Sequence, residues 1–301
     1  MWLRATGGSV AISQDKERDK SPKQEKEEKK RTLSFILVFL IIFLPQKNFL
    51  LGEISSAEYK LNKDFFLRFG KDFKDTLFSP KDWRKKDFLT FSAILGTGTL
   101  IYIFDQEIQD WVQDQHTSTS DDISKVVRKF GEGLFLTGLI AGLYTTGELT
   151  KDNSLRKTAL LSLESWLTSG FIVWVFKVVI GRARPSIEES ENIFHMFSGK
   201  SGFHSFPSGH SASAFAVATT IADETDKLFV DILAYSLATS VALSRIHDNK
   251  HWLSDAFVGS AIGYFVAKKI GALNRNSKSD KIRVGFCFYG GQQAITFSLC
   301  F

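Results

Sequence analysis

Residues 207–222 read PSGHSASAFAVATTIA. The opening Pro207-Ser208-Gly209-His210 makes a turn, and the small, apolar run Ser211–Ala222 behind it reads as a helix. The turn therefore stands at a helix N-terminus, where free N–H groups and the helix dipole favour an anion. Ser208 adds a hydroxyl there, and Gly209 lets the backbone approach closely. Outward from this stretch the chain keeps returning to apolar segments of helical length. Phe88–Phe104, Gly133–Leu149 and Thr158–Ile180 precede it; Phe229–Ser244 and Trp252–Ala272 follow it. The reading is an all-α fold, a helical bundle of about six core helices. Gly138/Gly142 and Gly259/Gly263 are small-residue pairs four apart, which permit close helix contact.

Two other stretches carry related chemistry. Lys177-(x6)-Arg184-Pro185 falls at the end of the third segment, and Ser244-Arg245-(x5)-His251-(x3)-Asp255 spans the end of the fifth and the start of the sixth. A bundle can bring these ends and the 207–210 turn to one rim. Lys177, Arg184 and Arg245 then clamp a tetrahedral oxyanion, arginine as a planar fork and lysine as a point charge. His251 and Asp255, four apart, share one helix face. A carboxylate on one ring nitrogen fixes the tautomer and frees the other nitrogen to attack. Phosphoryl transfer needs this set: charge neutralised on the equatorial oxygens, an in-line nucleophile and a proton for the leaving group. Singly, each part has a plainer reading. His-x3-Asp is commonly a surface pair, the arginines are helix-end bases, and PSGH is an ordinary helix-start turn. The three together, in this order, are hard to get by chance.

Jointly the three stretches resemble the signature of the type 2 phosphatidic acid phosphatase superfamily, which also holds bacterial acid phosphatases and vanadium haloperoxidases. The resemblance covers residues 88–272, with every signature position filled. It implies an active site at one rim of the bundle, with His251, His210 and Asp255 catalytic and Lys177, Arg184, Ser208, Gly209 and Arg245 binding phosphate. By that resemblance His251 is the nucleophile and passes through a phosphohistidine, and His210 is the general acid and later the base. No metal is expected, because the cations do the charge work and no other His, Asp or Cys group has metal-ligand spacing. The expected activity is hydrolysis of a phosphomonoester, with a lipid phosphate such as phosphatidic acid, an isoprenyl phosphate or a lipid A phosphate preferred. The alternatives are a soluble-substrate acid phosphatase or phosphotransferase, a haloperoxidase with vanadate as its cofactor, and a non-catalytic envelope scaffold. Complete motifs argue against the scaffold. Near the motifs, His204, His247 and Lys250 are not called for by the signature. Arg182 is placed to touch substrate from the rim, and Trp252 reads as packing.

The formal net charge of +5 over 301 residues is mild and lies largely toward the ends, so nucleic-acid binding has little support. The 28 phenylalanines suit an apolar helical core or contact with lipid. Residues 1–30 are polar and rich in Lys and Glu, and are expected to be disordered. Residues 31–57, with the apolar Leu33–Leu44 and then Ser55-Ser56-Ala57, read as a signal peptide or signal anchor. In residues 58–87, Phe65, Phe69 and Phe73 have helical spacing, and an amphipathic helix is expected on the core rather than on a bilayer. Residues 88–272 form the expected catalytic domain. Residues 281–301 alternate around Gly290-Gly291 as a β-hairpin that sets Cys287 opposite Ala294. Cys287 and Cys300 would then lie roughly 20 Å apart, far beyond the 7 Å or so between Cα atoms that a disulfide allows, so free thiols are expected.

Mean hydropathy is −0.05. Most apolar runs fall short of the roughly 18–20 residues a membrane span needs, and Glu164 and Asp231 interrupt two segments. The reading is an exported, membrane-associated domain of the cell envelope, soluble or partly embedded at the outer face of the inner membrane. An integral six-helix enzyme is the alternative. Lys268, Lys269, Arg275 and Lys278 put the end of the last helix in the cytoplasm if it spans, and His251 outside. The expected partners are the phosphorylated substrate and the membrane surface. Arg184–Phe206 reads as a loop over the rim, with Gly199, Ser201 and Gly202 for flexibility, shaping substrate access.

Overall fold

A computed structural model describes residues 58–187, 190–225, 227–276, 283–289 and 292–298. The expected disordered arm and leader, residues 1–57, lie outside the described residues, as does Cys300. Nine α-helices are found among the described residues. They are α1 Lys63–Leu77, α2 Lys85–Ile103, α3 Asp105–Asp114, α4 Ser118–Val127, α5 Gly133–Leu149, α6 Asn153–Ile180, α7 Gly209–Glu224, α8 Leu228–His247 and α9 Leu253–Asn276. The six core segments correspond to α2 and α5–α9, and α1 is the amphipathic lead-in. The antiparallel pair β1 (Arg283–Tyr289) and β2 (Gln292–Ser298) sets Cys287 opposite Ala294, the register expected.

α7 is the central helix, packed against α6, α8 and α9. Its small side chains make that possible: Ala212 and Ala216 have no exposed surface, and the one large side chain among them, Phe215, is also fully buried. On α9, a Cβ at Gly259 would run into the Ser208 carbonyl oxygen, and one at Gly263 into that of Ala212. These two glycines let α9 lie backbone to backbone against the start of α7. Gly138 and Gly142 do not serve this purpose, for open space lies beside both. α5 instead packs through Leu136 and Ile140, against Ala159 and Val217. α1 lies on the core as expected, Phe65 packing with Tyr59 and Leu160 and Phe73 meeting Phe171 of α6 edge to face.

The helices α3 and α4 were not legible as core segments. α3 reads DQEIQDWVQD, too polar for an apolar segment. It buries Asp105, Ile108 and Gln109 rather than an apolar face.

α6, α8 and α9 are long and apolar enough to cross a membrane, and α2 with α3 would make a fourth span bent by 59°. The expectation of short runs therefore holds for α5 and α7 and fails for these three, because helical backbone continues through the interrupting polar residues. Glu164 and Asp231 are fully buried, so both acids point into the bundle rather than to its apolar exterior. On the outside of α6, Leu167, Phe171, Trp174 and Phe176 are exposed, Trp174 by 60%. These apolar helices associate the domain with a membrane.

Candidate active site

α6 ends in a left-handed cap at Gly181 (φ +61°), where a side chain would strike the His195 carbonyl. The chain after this cap is laced to the loop that returns to α7. His195 N–H donates to Gly181 O at 2.7 Å, Phe197 N–H to Val178 O at 2.7 Å, Ala183 N–H to Ile193 O at 2.9 Å and Arg184 N–H to Gly202 O at 2.9 Å. The 184–206 segment is thus strapped to the end of α6 rather than loosely hung over the rim. Of the glycines expected to loosen it, Gly202 carries one of these straps, and Gly199 has open space beside it.

Lys177, in the last turn of α6, donates from Nζ to His204 O at 2.6 Å and reaches Ser205 O at 3.5 Å. Two carbonyls occupy at most two of its three protons. Ser208 caps α7, its Oγ accepting from Ser211 N at 3.4 Å and from Ser211 Oγ at 2.9 Å. Gly209 opens the helix with its Cα beside Lys177, whose Cε lies 3.8 Å from where a Cβ would stand. Ser208 N–H donates to Asp255 O at 2.9 Å, which ties the second motif to the third.

His251 is buried at the entry to α9. Its Nδ1 lies 2.7 Å from the Ser205 carbonyl oxygen. A carbonyl only accepts, so Nδ1 carries the proton and Nε2 is bare. The carboxylate of Asp255 was expected in that place, but its Oδ2 is 3.8 Å from Nδ1. The reason lies in its other partners. Oδ2 accepts from Trp252 N–H at 3.0 Å and from Ser205 Oγ, and Oδ1 accepts from Arg182 Nη1 at 2.7 Å. Asp255 turns back to cap its own helix and steadies His251 through Ser205 and through space.

Arg182 is the second correction. It is 1% exposed and does not reach the rim. Its Nη2 donates to Asp105 Oδ2 at 2.9 Å, its Nη1 to Ser254 Oγ at 2.8 Å as well as to Asp255, and its Nε to Glu191 O at 3.0 Å. The guanidinium lies between the rings of Tyr102 and Trp252, 4.7 and 5.3 Å from their centres. Trp252 is packing as expected, its indole N–H held by Ala183 O at 2.9 Å.

Arg184 and Arg245 behave differently. The Nε of each is buried with no hydrogen-bond partner. Arg245 is aimed by Asp248, which accepts from its Nη1 at 2.9 Å and is itself held by Ser124 Oγ at 2.6 Å. These cations act on both histidines. Burial, with Arg245, Lys177 and Arg184 adding to it, lowers the pKa of His210 to about 4. Burial, with Lys177 and Arg184 adding and Asp255 opposing, lowers that of His251 to about 3. Both rings are neutral at neutral pH.

The structure thus brings together all eight residues that the sequence singled out. Of the extra candidates, His204 turns its ring to Ser198 O at 2.7 Å, and His247 points to α4. Residues the sequence reading missed are Asp105, Ser205, Ser254 and Asp248, which position the others, and Gly131, where a Cβ would crowd Val241 and come within 3.2 Å of His210 O. Asp248 alone left a signal, three residues after Arg245 on the same helix turn. The rest come from far in sequence or through a backbone carbonyl. A cluster of His116, Asp121 and His247 lies outside the cation-lined site, its two imidazole rings stacked 3.9 Å apart.

Residues 158–276 match the PAP2 superfamily. A 67-residue stretch, 22% of this chain, is 39% identical to the lipid A 1-phosphatase of Porphyromonas gingivalis, of which it spans 15%. The lipid A 1-phosphatase of Rhizobium etli is 26% identical over 199 residues, 61% of this chain and 82% of that protein. Among solved structures, the first transmembrane PAP2 type phosphatidylglycerolphosphate phosphatase from Bacillus subtilis superposes with a TM-score of 0.46 at 20% identity, covering 71% of this chain and 95% of that one.

Proposed function

We propose, from the match of residues 158–276 to the PAP2 superfamily, a membrane-associated phosphatase that hydrolyses a lipid phosphate monoester through a phosphohistidine, without a metal at the phosphate clamp. The observation that carries this reading is the bare Nε2 of His251 beside guanidinium groups whose Nε–H has no protein partner. The phosphate oxygens take Arg184, Arg245, the remaining proton of Lys177 and the N-terminus of α7. His251 Nε2 attacks phosphorus in line, the P–O(ester) bond breaks, and His210 gives its proton to the leaving oxygen. Water then attacks the phosphohistidine, His210 takes the water proton, and inorganic phosphate and neutral His251 are released. A phosphate dianion offsets the cations that hold His210 low, so the complex takes up the proton that the free site refuses.

Apolar exposed helices favour a lipid substrate, and two relatives that are named lipid A 1-phosphatases favour a phosphorylated glycolipid. Lys268, Lys269 and Arg275, at the far end of α9 from His251, favour a cytoplasmic position for that end and an outer-face position for the site. Phosphate release by detergent-solubilised protein in EDTA tests the proposal, with lipid A, phosphatidic acid and p-nitrophenyl phosphate compared. Release that favours lipid A and vanishes in His251→Ala is expected; release unchanged in that variant would overturn the mechanism, and preference for p-nitrophenyl phosphate the substrate class.

A further inference from the structure

The segment strapped to the end of α6 turns tightly at residues 195–198, where Ser198 N–H donates to His195 O at 3.2 Å. Met196 and Phe197 form the tip, exposed by 63% and 69%, and Phe194 before them is exposed by 42%. Phe197 occupies the third position of the turn with φ +57°. That left-handed backbone suits glycine or asparagine, and a bulky side chain there is strained. A turn tip facing water is ordinarily Gly, Asn, Asp or Ser. This one combines a strained backbone with exposed apolar side chains. Neither serves the straps, which run through the main-chain atoms of His195 and Phe197 and would form with other residues in those places. The side chains at the tip therefore answer to something outside the fold.

The place of the tip identifies that partner. Phe197 N–H is held by Val178 O at 2.7 Å. Val178 lies one turn beyond Trp174 and Val175, both exposed, and its neighbour Val179 is exposed too. The tip thus stands where the apolar exterior of α6 ends. From Thr158 to Ile180 that helix rises roughly 34 Å, close to the 30 Å or so of a bilayer's hydrocarbon core. A bilayer around α6 ends near Ile180, and the tip meets its boundary. Exposed Lys200, three residues on, suits the anionic head groups there. We infer that Phe194, Met196 and Phe197 insert into the lipid leaflet on the side of the site and set the depth at which a lipid phosphate meets the clamp. The inference rests on the membrane-associated phosphatase reading above. The tip and the clamp are joined through one residue: His204 donates from Nε2 to Ser198 O at 2.7 Å, and its own carbonyl accepts from Lys177 Nζ at 2.6 Å. A soluble phosphate ester needs no such depth.

The test places full-length protein in nanodiscs of phosphatidylethanolamine and phosphatidylglycerol, with Cys287→Ser and Cys300→Ser to remove the native thiols. A nitrobenzoxadiazole label on Phe197→Cys should be quenched by lipids bearing a nitroxide near the top of the acyl chain and shielded from aqueous iodide. The same label on Ser118→Cys, exposed at the start of α4, should be quenched by iodide. Equal iodide quenching at both positions would overturn the inference. Shielding at 197 from both quenchers would also overturn it, by showing that residues 1–57 or a second copy of the chain cover the tip. Phe197→Asn supplies the functional arm. It accepts the left-handed backbone, so its Tm in detergent should equal or exceed that of wild type. Its kcat/KM should fall about tenfold on phosphatidic acid carried in the discs, a factor within reach of one phenylalanine withdrawn from lipid, and stay unchanged on p-nitrophenyl phosphate. A lower Tm with equal losses on both substrates would make the tip a structural element instead. Wild type that releases no phosphate from any substrate would defeat the phosphatase reading, while the quenching result would still decide insertion.

Discussion

Arg182 and Arg184 stand two residues apart after the same helix, and they use their guanidinium groups in opposite ways. Arg182 is sealed between two rings, and its hydrogen bonds run to Asp105, Ser254, Asp255 and Glu191. Arg184 keeps its Nε–H unpaired within the cation-lined site. One cation belongs to the protein and the other is available to a ligand. Strand alternation would put residues two apart on one face, so the difference lies in the partners each guanidinium meets, carboxylates for Arg182 and none at Nε for Arg184. A reading of the motif by charge alone cannot separate the two, since both are arginines at a helix end. A buried, fully bonded cation stabilises the scaffold around Asp255; an unpaired one is poised for an anion.

The largest effect on the ligand-facing side should come from His251→Ala, which is expected to lower phosphate release by at least about 10⁴-fold, as removing a nucleophile does. The two arginines should then part company. Arg182→Ala leaves Asp105 and Asp255 buried without their cation and should cost about 3–5 kcal/mol of stability, read as a large fall in Tm. Arg184→Ala should leave Tm close to wild type while lowering kcat/KM by about 10²–10³. The contrast collapses if both variants melt alike.

A third test reads the unpaired cations through pH. The folded pKa values of His210 and His251, about 4 and about 3, lie below the ordinary histidine value of 6.5. Above the ordinary value neither folded nor unfolded chain binds these protons. As pH falls from there toward 4, only the unfolded chain takes them up, so stability should decline by about 1.4 kcal/mol per pH unit for each histidine. Melting between pH 7.5 and 4.5 should show this slope. It should be shallower in His210→Gln, and shallower in Arg184→Ala, which removes a cation that pushes on both rings. An unchanged slope in both would remove the electrostatic coupling from the account.

The smallest effects separate the two glycine pairs. Gly259→Ala forces the start of α7 away from α9 and should lower both Tm and turnover. Gly138→Ala meets nothing and should raise stability by up to about 1 kcal/mol through helix propensity, with activity unchanged.

The pair at 259 and 263 also shows what the sequence made legible. Apolar length and turn residues located α5, α7 and the ends of α6, α8 and α9, and the eight site residues sit at or just beyond those ends. Their convergence therefore followed from counting helices. What escaped was whatever depends on partners distant in sequence or on main-chain atoms. Asp105 lies in a helix too polar to be recognised as part of the core. Ser205 orients His251 through its carbonyl, which any residue would supply. Asp255 has the spacing of a direct partner to His251, yet its oxygens are drawn to Arg182, Ser205 and Trp252 N–H, and spacing carries no information about such competition. Gly138 and Gly142 have the pattern of a packing pair without a helix beside them among the described residues.

One contact has a bearing on how such a site tolerates change in length. Asp255, whose carbonyl receives Ser208 N–H, and Gly259, which admits the Ser208 carbonyl, stand one helical turn apart on α9. The depth of the anion cradle relative to His251 is therefore gauged by main chain against main chain. Side chains around it can be exchanged without moving the gauge. A single residue inserted between 255 and 259 would rotate the remainder of α9 by about 100°. That would put a side chain where the glycine is needed and shift the cradle off the nucleophile. Insertions and deletions should consequently be excluded from this one turn.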